Sequence, residues 1–228
     1  EDLANFLNSC GAKIEGAGSS IISIEGVDIL KKTHWEVLFD RIEAGTYLVA
    51  GAITKGKVKI NKIIPEKLKC LIISLEKMGF KIFCSENSIE IDARTATIKC
   101  QDFSTDPYPG FPTDMQAQLM ALNCIGEGSA LITEQVFENR FQHVKELRKM
   151  GANITLEKNF AVIKGVPNLV GSEVTASDLR ASASLVLAGL IGKNRTKINE
   201  IHHIDRGYEC IEEKLNKLGA EIIREPLA

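Results

Sequence analysis

The chain has 228 residues, of which 44% are hydrophobic and 25% charged, and its formal net charge is −2. These values fit one large or two small globular domains, and the charge argues against general nucleic-acid binding. No apolar stretch approaches the roughly 20 residues of a membrane helix, and no signal peptide is visible. We therefore predict a cytoplasmic protein that binds neither nucleic acid nor membrane.

The six cysteines and four histidines show no spacing typical of a metal site. No two cysteines form a CxxC pair, and the adjacent His202 and His203 have no further ligand at a suitable distance along the chain. We predict that all six cysteines are reduced and mostly buried as small side chains. No metal or other cofactor is expected.

Four segments repeat one pattern, in which an amphipathic helix ends at a glycine and an isoleucine stands three positions after it. The segments are FLNSCGAKI, SLEKMGFKI, ELRKMGANI and KLNKLGAEI, and their glycines are Gly11, Gly79, Gly151 and Gly219. Glycine at this position suits a left-handed helix end. The near-equal spacing of the four glycines indicates a repeated unit of about 70 residues.

Each repeat has the same predicted order of elements. A hairpin follows the glycine, as in FKIFCSENSIEIDA, and an apolar helix then begins just after Asp40, Asp114 or Asp178. A strand such as KVKINKI and an amphipathic helix complete the unit. This order predicts βαβαββ-like units in a mixed α/β fold, with three parallel apolar helices buried and the sheets outside.

The starts of the three apolar helices form the candidate site, because they carry Arg41, Asp114 and Arg180. Unpaired N–H groups and aligned peptide dipoles at these ends favour anions. The alternative is that Asp40, Asp114 and Asp178 only cap their helices, each contributing about 1 kcal/mol. For Asp114 we favour a functional role, because Thr113 is better placed to be the cap. The proline-rich loop TDPYPGFPTDMQ is expected to hold Asp114 in position.

Two further arginines occupy matching places in successive repeats, Arg140 in TEQVFENRF and Arg206 in HHIDRGYE. Each has a local alternative, an ion pair of Arg140 with Glu138 or a loop salt bridge of Arg206 with Asp205. Guanidinium groups bind carboxylate and phosphate bidentately. Arg180 and Arg206 together therefore suit a small, highly anionic substrate.

The motifs FPTDMQAQ, VFENRF, DLRASASLVLAG and HIDRGYE, together with DRIEAGT at Asp40–Thr46, closely resemble the C-terminal half of the UDP-N-acetylglucosamine enolpyruvyl transferases. The resemblance extends from Asp2 to about Arg224 and implies an inside-out α/β barrel built from three βαβαββ units. It further implies that residues 1–38 are the tail of another domain, and that residues 39–228 are the C-terminal barrel domain without its first strand.

The resemblance implies transfer of the enolpyruvyl group of phosphoenolpyruvate to the 3-hydroxyl of UDP-N-acetylglucosamine, with release of phosphate. This is the first committed step of peptidoglycan synthesis, and so serves cell-wall biogenesis, cell shape, the cell cycle and cell division. Asp114 would contact the hydroxyl as general base, Val136 would contact the nucleotide sugar through its backbone, and Arg206 would bind phosphoenolpyruvate. The remaining site residues implied are Arg140 and Arg180 in the cleft, and Asp40 and Asp178 at the helix tips.

The family's general-acid loop has no counterpart in this sequence. We therefore expect the chain alone to lack transferase activity and to need the missing N-terminal half of the same enzyme. Two alternatives stay open. One is a non-catalytic half module that binds an anion or a partner chain, and the other is a shikimate-type enolpyruvyl transferase.

Overall fold

The computed structural model of the chain describes residues 1–225 and divides it into two compact units, Glu1–Asp40 and a larger unit that begins at Arg41. The first unit contains α1 (Asp2–Ser9), β1 (Lys13–Glu15) and β2 (Ser23–Glu25). The two strands form the predicted antiparallel hairpin, with Ile14 opposite Ile24. The assignment of this unit to the tail of another domain remains a prediction.

The larger unit alternates helices and strands from α2 onward. Its elements are α2 (Arg41–Ile53), β3 (Lys57–Asn61), α3 (Lys69–Lys77), β4 (Lys81–Ser85), β5 (Ser88–Asp92), β6 (Phe103–Ser104), α4 (Gln116–Asn123), β7 (Ser129–Thr133), α5 (Val144–Lys149), β8 (Asn153–Glu157), β9 (Phe160–Lys164), β10 (Glu173–Thr175), α6 (Leu179–Gly189), β11 (Lys197–Asn199) and α7 (Ile211–Lys217). Short 3-10 helices precede α3, α4, α5 and α7.

The sheets confirm the predicted repeat. The middle block runs β6, α4, β7, α5, β8, β9, and its strands lie in the order β6-β7-β9-β8, with β6 parallel to β7 and the other pairs antiparallel. The first block repeats this arrangement as β3-β5-β4, and the third contributes the parallel pair β10-β11. The strands β6 and β10 were not predicted, because two or three residues are too few to show an alternating pattern.

The three apolar helices α2, α4 and α6 contact one another at the centre of the larger unit. All eight residues of α4 are buried, as are most residues of α2 and α6. A helix that is apolar on every side has no face to present to water, so the sheets cover it. The predicted fold, with helices inside and sheets outside, is confirmed, although hydrogen bonds within residues 1–225 do not join the sheets into one closed barrel.

The repeated glycines end their helices as predicted. Gly79 has a φ of +101°, its N–H donates to the Glu76 carbonyl, and the N–H of Phe80 donates to the Leu75 carbonyl. These two bonds satisfy carbonyls that the end of a helix leaves open. The other three positions share this geometry, with φ of +97° at Gly11, +87° at Gly151 and +102° at Gly219.

The six cysteines are all free, but the expectation that most are buried is wrong. Cys10 and Cys124 are buried, whereas Cys84 and Cys210 are exposed. Cys84 lies on the outer strand β4, most of which faces solvent, and Cys210 lies in a left-handed position directly before α7. In residues 1–225, every helix is too short or too polar to cross a membrane.

Candidate active site

Asp114 lies at the centre of the candidate site, between Arg140 of the 3-10 helix before α5 and Arg180 of the first turn of α6. It belongs to the 3-10 helix that leads into α4. Arg140 Nη2 donates to its Oδ1 at 3.0 Å, and Arg180 Nη2 donates to its Oδ2 at 3.0 Å. The arginine side chains are 12% and 13% exposed, whereas that of Asp114 is 38% exposed. The carboxylate is therefore fixed on one side and open to solvent on the other.

The charge around Asp114 is strongly positive. Partial burial alone would raise the pKa of this carboxyl, but the Arg180 hydrogen bond and the charges of Arg180, Arg140 and Arg41 outweigh it and lower the pKa below its ordinary value. Three guanidinium groups thus act on one carboxylate. This excess of positive charge, close to the N-termini of the helices, favours the binding of an anionic ligand.

The helix-cap alternative holds for Asp178. Its Oδ1 accepts from the backbone N–H of Arg180 at 2.9 Å and of Ala181 at 3.0 Å, which fixes the first turn of α6 and with it Arg180. Asp40, the last residue of the first unit, directly precedes α2 in the chain.

The expectation that Thr113 is a helix cap is wrong. No side chain caps the 3-10 helix Thr113–Met115, whose preceding residue is Pro112. Instead the Thr113 hydroxyl donates to Glu134 Oε2 at 3.0 Å and accepts from Arg140 Nε at 3.1 Å. Hydrogen bonds to charged groups are stronger than neutral ones, so these two partners take the hydroxyl.

Neither local arginine pair forms. Arg140 binds Asp114 and not Glu138, and Asp205 is taken by Arg224, whose two Nη atoms lie 2.7 and 3.0 Å from the carboxylate oxygens. The Arg206 side chain is exposed and, among the described residues, makes no hydrogen bond or ion pair. Its 3-10 helix, Ile201–Arg206, packs on α6. Arg206 is thus held near the start of α6 with its charge available to a ligand.

A buried polar junction, which the sequence did not predict, ties the helix starts together. The Tyr208 hydroxyl lies 2.8 Å from Thr46 Oγ1 of α2 and accepts from Gln118 Nε2 of α4 at 3.3 Å. The charge of Arg180 of α6 also acts on this hydroxyl, opposing the rise in the Tyr208 pKa that burial causes. Tyr208 is only 1% exposed. Thr46 and Gln118 left one signal in the sequence, since each is a polar residue within a helix whose other residues are mainly apolar.

Glu134, which follows β7, was also missed. It is 4% exposed and accepts from the Thr105 hydroxyl at 2.7 Å and from the Thr113 hydroxyl at 3.0 Å. It accepts as well from the backbone N–H groups of Val136 at 2.9 Å and Phe137 at 3.0 Å. The N–H of Val136 is therefore occupied, so its carbonyl is the backbone group left for a ligand.

The arrangement can bind phosphate or carboxylate groups through its arginines and can accept a proton at Asp114. The structure brings together Asp114, Arg140 and Arg180 by direct contact, and Asp178 supports Arg180. Val136 lies on a segment that reaches this cluster through Glu134 and Thr113, and Arg206 lies on the 3-10 helix that packs on α6. Within residues 1–225, no group of three His, Cys, Asp or Glu side chains is placed to hold a metal ion.

Comparisons with known proteins identify the family of this chain. The family model described as EPSP synthase (3-phosphoshikimate 1-carboxyvinyltransferase) matches residues 1–215. The UDP-N-acetylglucosamine 1-carboxyvinyltransferase of Coxiella burnetii is 54% identical over 224 residues, which are 98% of this chain and 52% of the relative. The enzyme of the same name from Hydrogenovibrio crunogenus is 51% identical over 223 residues, covering 98% of this chain and 53% of the relative.

Solved structures show the same fold. The enolpyruvyl transferase NikO from Streptomyces tendae has a TM-score of 0.87 at 28% identity, with 96% of this chain and 53% of that one covered. EPSP synthase from Acinetobacter baumannii has a TM-score of 0.73 at 20% identity, with 96% and 54% covered, which shows the fold alone. The chain spans about half the length of the curated relatives it matches. The match over residues 1–215 confirms the resemblance seen in the motifs: the chain belongs to the EPSP synthase family of carboxyvinyltransferases.

Proposed function

We propose that this chain is part of an enzyme that transfers the enolpyruvyl group of phosphoenolpyruvate to the 3-hydroxyl of UDP-N-acetylglucosamine and releases phosphate. The observation that carries the proposal is Asp114 held between Arg140 and Arg180. The relatives that match nearly the whole chain at 51% to 54% identity bear the name of this activity. The reaction would serve peptidoglycan synthesis in the cytoplasm.

The arginines suit the donor substrate. Phosphoenolpyruvate carries a phosphate and a carboxylate, and guanidinium groups bind both kinds of anion through paired N–H donors. Arg180 and Arg140 are already fixed at the site, and Arg206 has its charge free of partners among the described residues. We assign Arg206 to phosphoenolpyruvate, with Arg180 and Arg140 lining the same cleft.

Asp114 would accept the proton of the sugar hydroxyl as its oxygen attacks C2 of phosphoenolpyruvate, while C3 gains a proton from a general acid in the half of the enzyme that this chain does not match. Loss of a proton from C3 and departure of phosphate from C2 would then restore the double bond of the enolpyruvyl group. A positioned base of this kind contributes roughly 10²–10⁴-fold to a rate. The arginines that lower the pKa of Asp114 make it a weak base while no substrate is bound. Substrate anions compete for the same guanidinium groups, so their arrival raises the pKa of Asp114 and makes it a stronger base.

The acceptor sugar would be positioned by the loop after β7. Since the N–H groups of Val136 and Phe137 are held by Glu134, the Val136 carbonyl is left to accept from a donor on the nucleotide sugar. Asp178 acts indirectly, by capping the helix that carries Arg180. Asp40 is assigned a similar supporting role before α2.

Because the chain spans 52% of its Coxiella burnetii relative, we propose the activity for a complete enzyme, meaning this chain joined to the half of the relatives that it does not match. The test mixes the purified chain with that half and measures phosphate release from phosphoenolpyruvate. Release that needs both halves and UDP-N-acetylglucosamine supports the proposal. Binding of anions without any release would favour a non-catalytic module.

A second candidate is the shikimate-type reaction, because the matching family model carries the name of that enzyme. The two candidates differ in their acceptor. If the complete enzyme releases phosphate with 3-phosphoshikimate and not with UDP-N-acetylglucosamine, the second candidate replaces the first. The identity of 51% to 54% to the UDP-N-acetylglucosamine enzymes, against 20% to the EPSP synthase of Acinetobacter baumannii, favours the sugar nucleotide as acceptor.

A further inference from the structure

Glu134 connects three separate segments around the candidate site. Its Oε2 accepts from Thr113, the residue before Asp114, and its Oε1 accepts from Thr105, just after β6. The same Oε1 accepts from the backbone N–H groups of Val136 and Phe137. With four donors directed at it and 4% exposure, the side chain serves here as an acceptor only.

The hydrogen bonds on the Oε2 side run in one direction. The Nε–H of Arg140 donates to Thr113 Oγ1 at 3.1 Å, and the Thr113 hydroxyl in turn donates to Glu134 Oε2. Because Glu134 takes the hydroxyl hydrogen, the lone pairs of Thr113 are left for Arg140. This fixes the guanidinium plane, whose Nη2 then reaches Asp114 Oδ1.

The bonds on the Oε1 side hold the loop that begins at Glu134. The N–H groups of Val136 and Phe137 both point at Oε1, which orders the turn and leaves the Val136 carbonyl without a partner among residues 1–225. The Thr105 hydroxyl fixes this oxygen from β6 and accepts from the Gln135 N–H at 2.9 Å.

We propose that Glu134 is a positioning residue with two separable effects. Through Thr113 it orients Arg140 against Asp114, and through the amides of Val136 and Phe137 it shapes the acceptor-binding loop. The inference rests on the proposed function for its catalytic consequence. Its structural consequence, the direction of the Thr113 bond, is testable without any activity.

The substitution Glu134→Gln separates the two effects. The Gln oxygen can still accept from Thr105 and the two amides, but its NH₂ then points at Thr113 and removes the acceptor that the hydroxyl needs. In the complete enzyme we expect kcat to fall about tenfold or more, because small displacements of catalytic groups are costly. The KM for UDP-N-acetylglucosamine is expected to change less than about threefold. An unchanged kcat would overturn the proposal.

Thr113→Val removes the same connection from its other end and is expected to lower kcat by a similar factor. Thr113→Ser keeps the hydroxyl and is expected to recover most of that loss. The double variant Glu134→Gln with Thr113→Val should fall no more than about threefold below either single variant, since both interrupt one path. Losses that multiply, or a serine variant as slow as the valine variant, would contradict the path.

Glu146→Gln is the matched control. Glu146 is 2% exposed and accepts from Lys149 Nζ at 2.8 Å and from the Thr175 N–H at 3.0 Å, and it makes no hydrogen bond to Asp114, Arg140 or Thr113. The Glu146→Gln variant is expected to be less stable than the unaltered enzyme but to keep its kcat, unlike Glu134→Gln. If both glutamine variants lower kcat and stability alike, Glu134 acts only on the fold and the proposal fails.

A spectroscopic measurement on this chain distinguishes failure of the proposal from failure of the proposed function. In ¹⁵N-resolved NMR spectra, Glu134→Gln should shift the Arg140 Nε–H resonance and leave the Val136 and Phe137 amides near their original positions. That pattern supports the positioning role even if the complete enzyme uses another acceptor. Large shifts of the two amides, with Arg140 unmoved, would overturn it.

Discussion

Asp114 combines a fixed position with an exposed face, and its removal tests the assignment of the base. Asp114→Asn keeps the size of the side chain but cannot accept the hydroxyl proton. In the complete enzyme we expect turnover to fall roughly 10²–10⁴-fold, the contribution of a general base. Phosphate release measures the rate, and circular dichroism checks that the variant is folded. A rate near that of the unaltered enzyme would remove the base assignment.

The Tyr208 hydroxyl contacts both Thr46 of α2 and Gln118 of α4 in the buried polar junction. Tyr208→Phe leaves Thr46 and Gln118 with one partner fewer in a buried place, which costs about 1–3 kcal/mol of unfolding free energy. Urea denaturation of the chain measures this loss. Tyr108→Phe is the control, because Tyr108 is exposed and meets Arg41 and Lys67 through its ring face. Equal losses in both variants would contradict the junction.

The sequence indicated the residues that cluster at the candidate site, but it did not predict their contacts. Asp114, Arg140 and Arg180 were found because each begins a helix or follows a strand within a recognisable motif. Glu134 and Tyr208 were missed because their importance arises from distant partners. Tyr208 and Thr46 are 162 positions apart, and nothing in the local pattern of either residue indicates that they meet.

The helix ends give a test at the scale of single elements. Gly79→Ala and Gly219→Ala both force alanine into a left-handed conformation, which costs about 1 kcal/mol. At Gly79 the new Cβ would also lie 2.7 Å from the Thr97 carbonyl oxygen, whereas at Gly219 nothing lies within 4 Å. We therefore expect Gly79→Ala to lower the unfolding free energy more than Gly219→Ala, as measured by urea denaturation.

If the two variants lose the same stability, the backbone near Thr97 relaxes without cost and the crowding argument fails.

The helices and strands themselves were largely predictable, since amphipathic helices, glycine ends and hairpins each have a local signature. The two short strands β6 and β10 had none. Their pairing depends on β7 and β11, which the chain reaches only after an intervening helix.

At the scale of the whole molecule, the buried His143 should make stability depend on pH. It is 1% exposed, and burial lowers its pKa to about 4; the Asp178 charge and a hydrogen bond to the Arg140 backbone oppose this effect, and the Arg140 charge adds to it. The unfolded chain binds the proton near pH 6.5, so the unfolded state is favoured as pH falls from there towards 4. We expect His143 to account for up to about 3 kcal/mol of lost stability across this range.

Urea denaturation between pH 4 and pH 7.5 measures this dependence on the chain. His143→Gln, which cannot gain a proton, should show a flatter decline than the unaltered chain. Asp114 and Glu146, whose pKa values are lowered, destabilise the fold in the same direction on acidification, so the difference between the two curves isolates His143. Parallel curves would show that His143 is not held in its neutral form.

The junction at Tyr208 has a consequence for how three similar units are assembled. Repetition alone supplies the same side chains three times, yet this contact needs a threonine from α2, a glutamine from α4 and a tyrosine that follows α6. Each unit therefore has a fixed place in the order. A chain with its units in another order would keep its hairpins and its glycine helix ends. It would not bring the hydroxyls of Thr46 and Tyr208 and the amide of Gln118 together where the three helices meet.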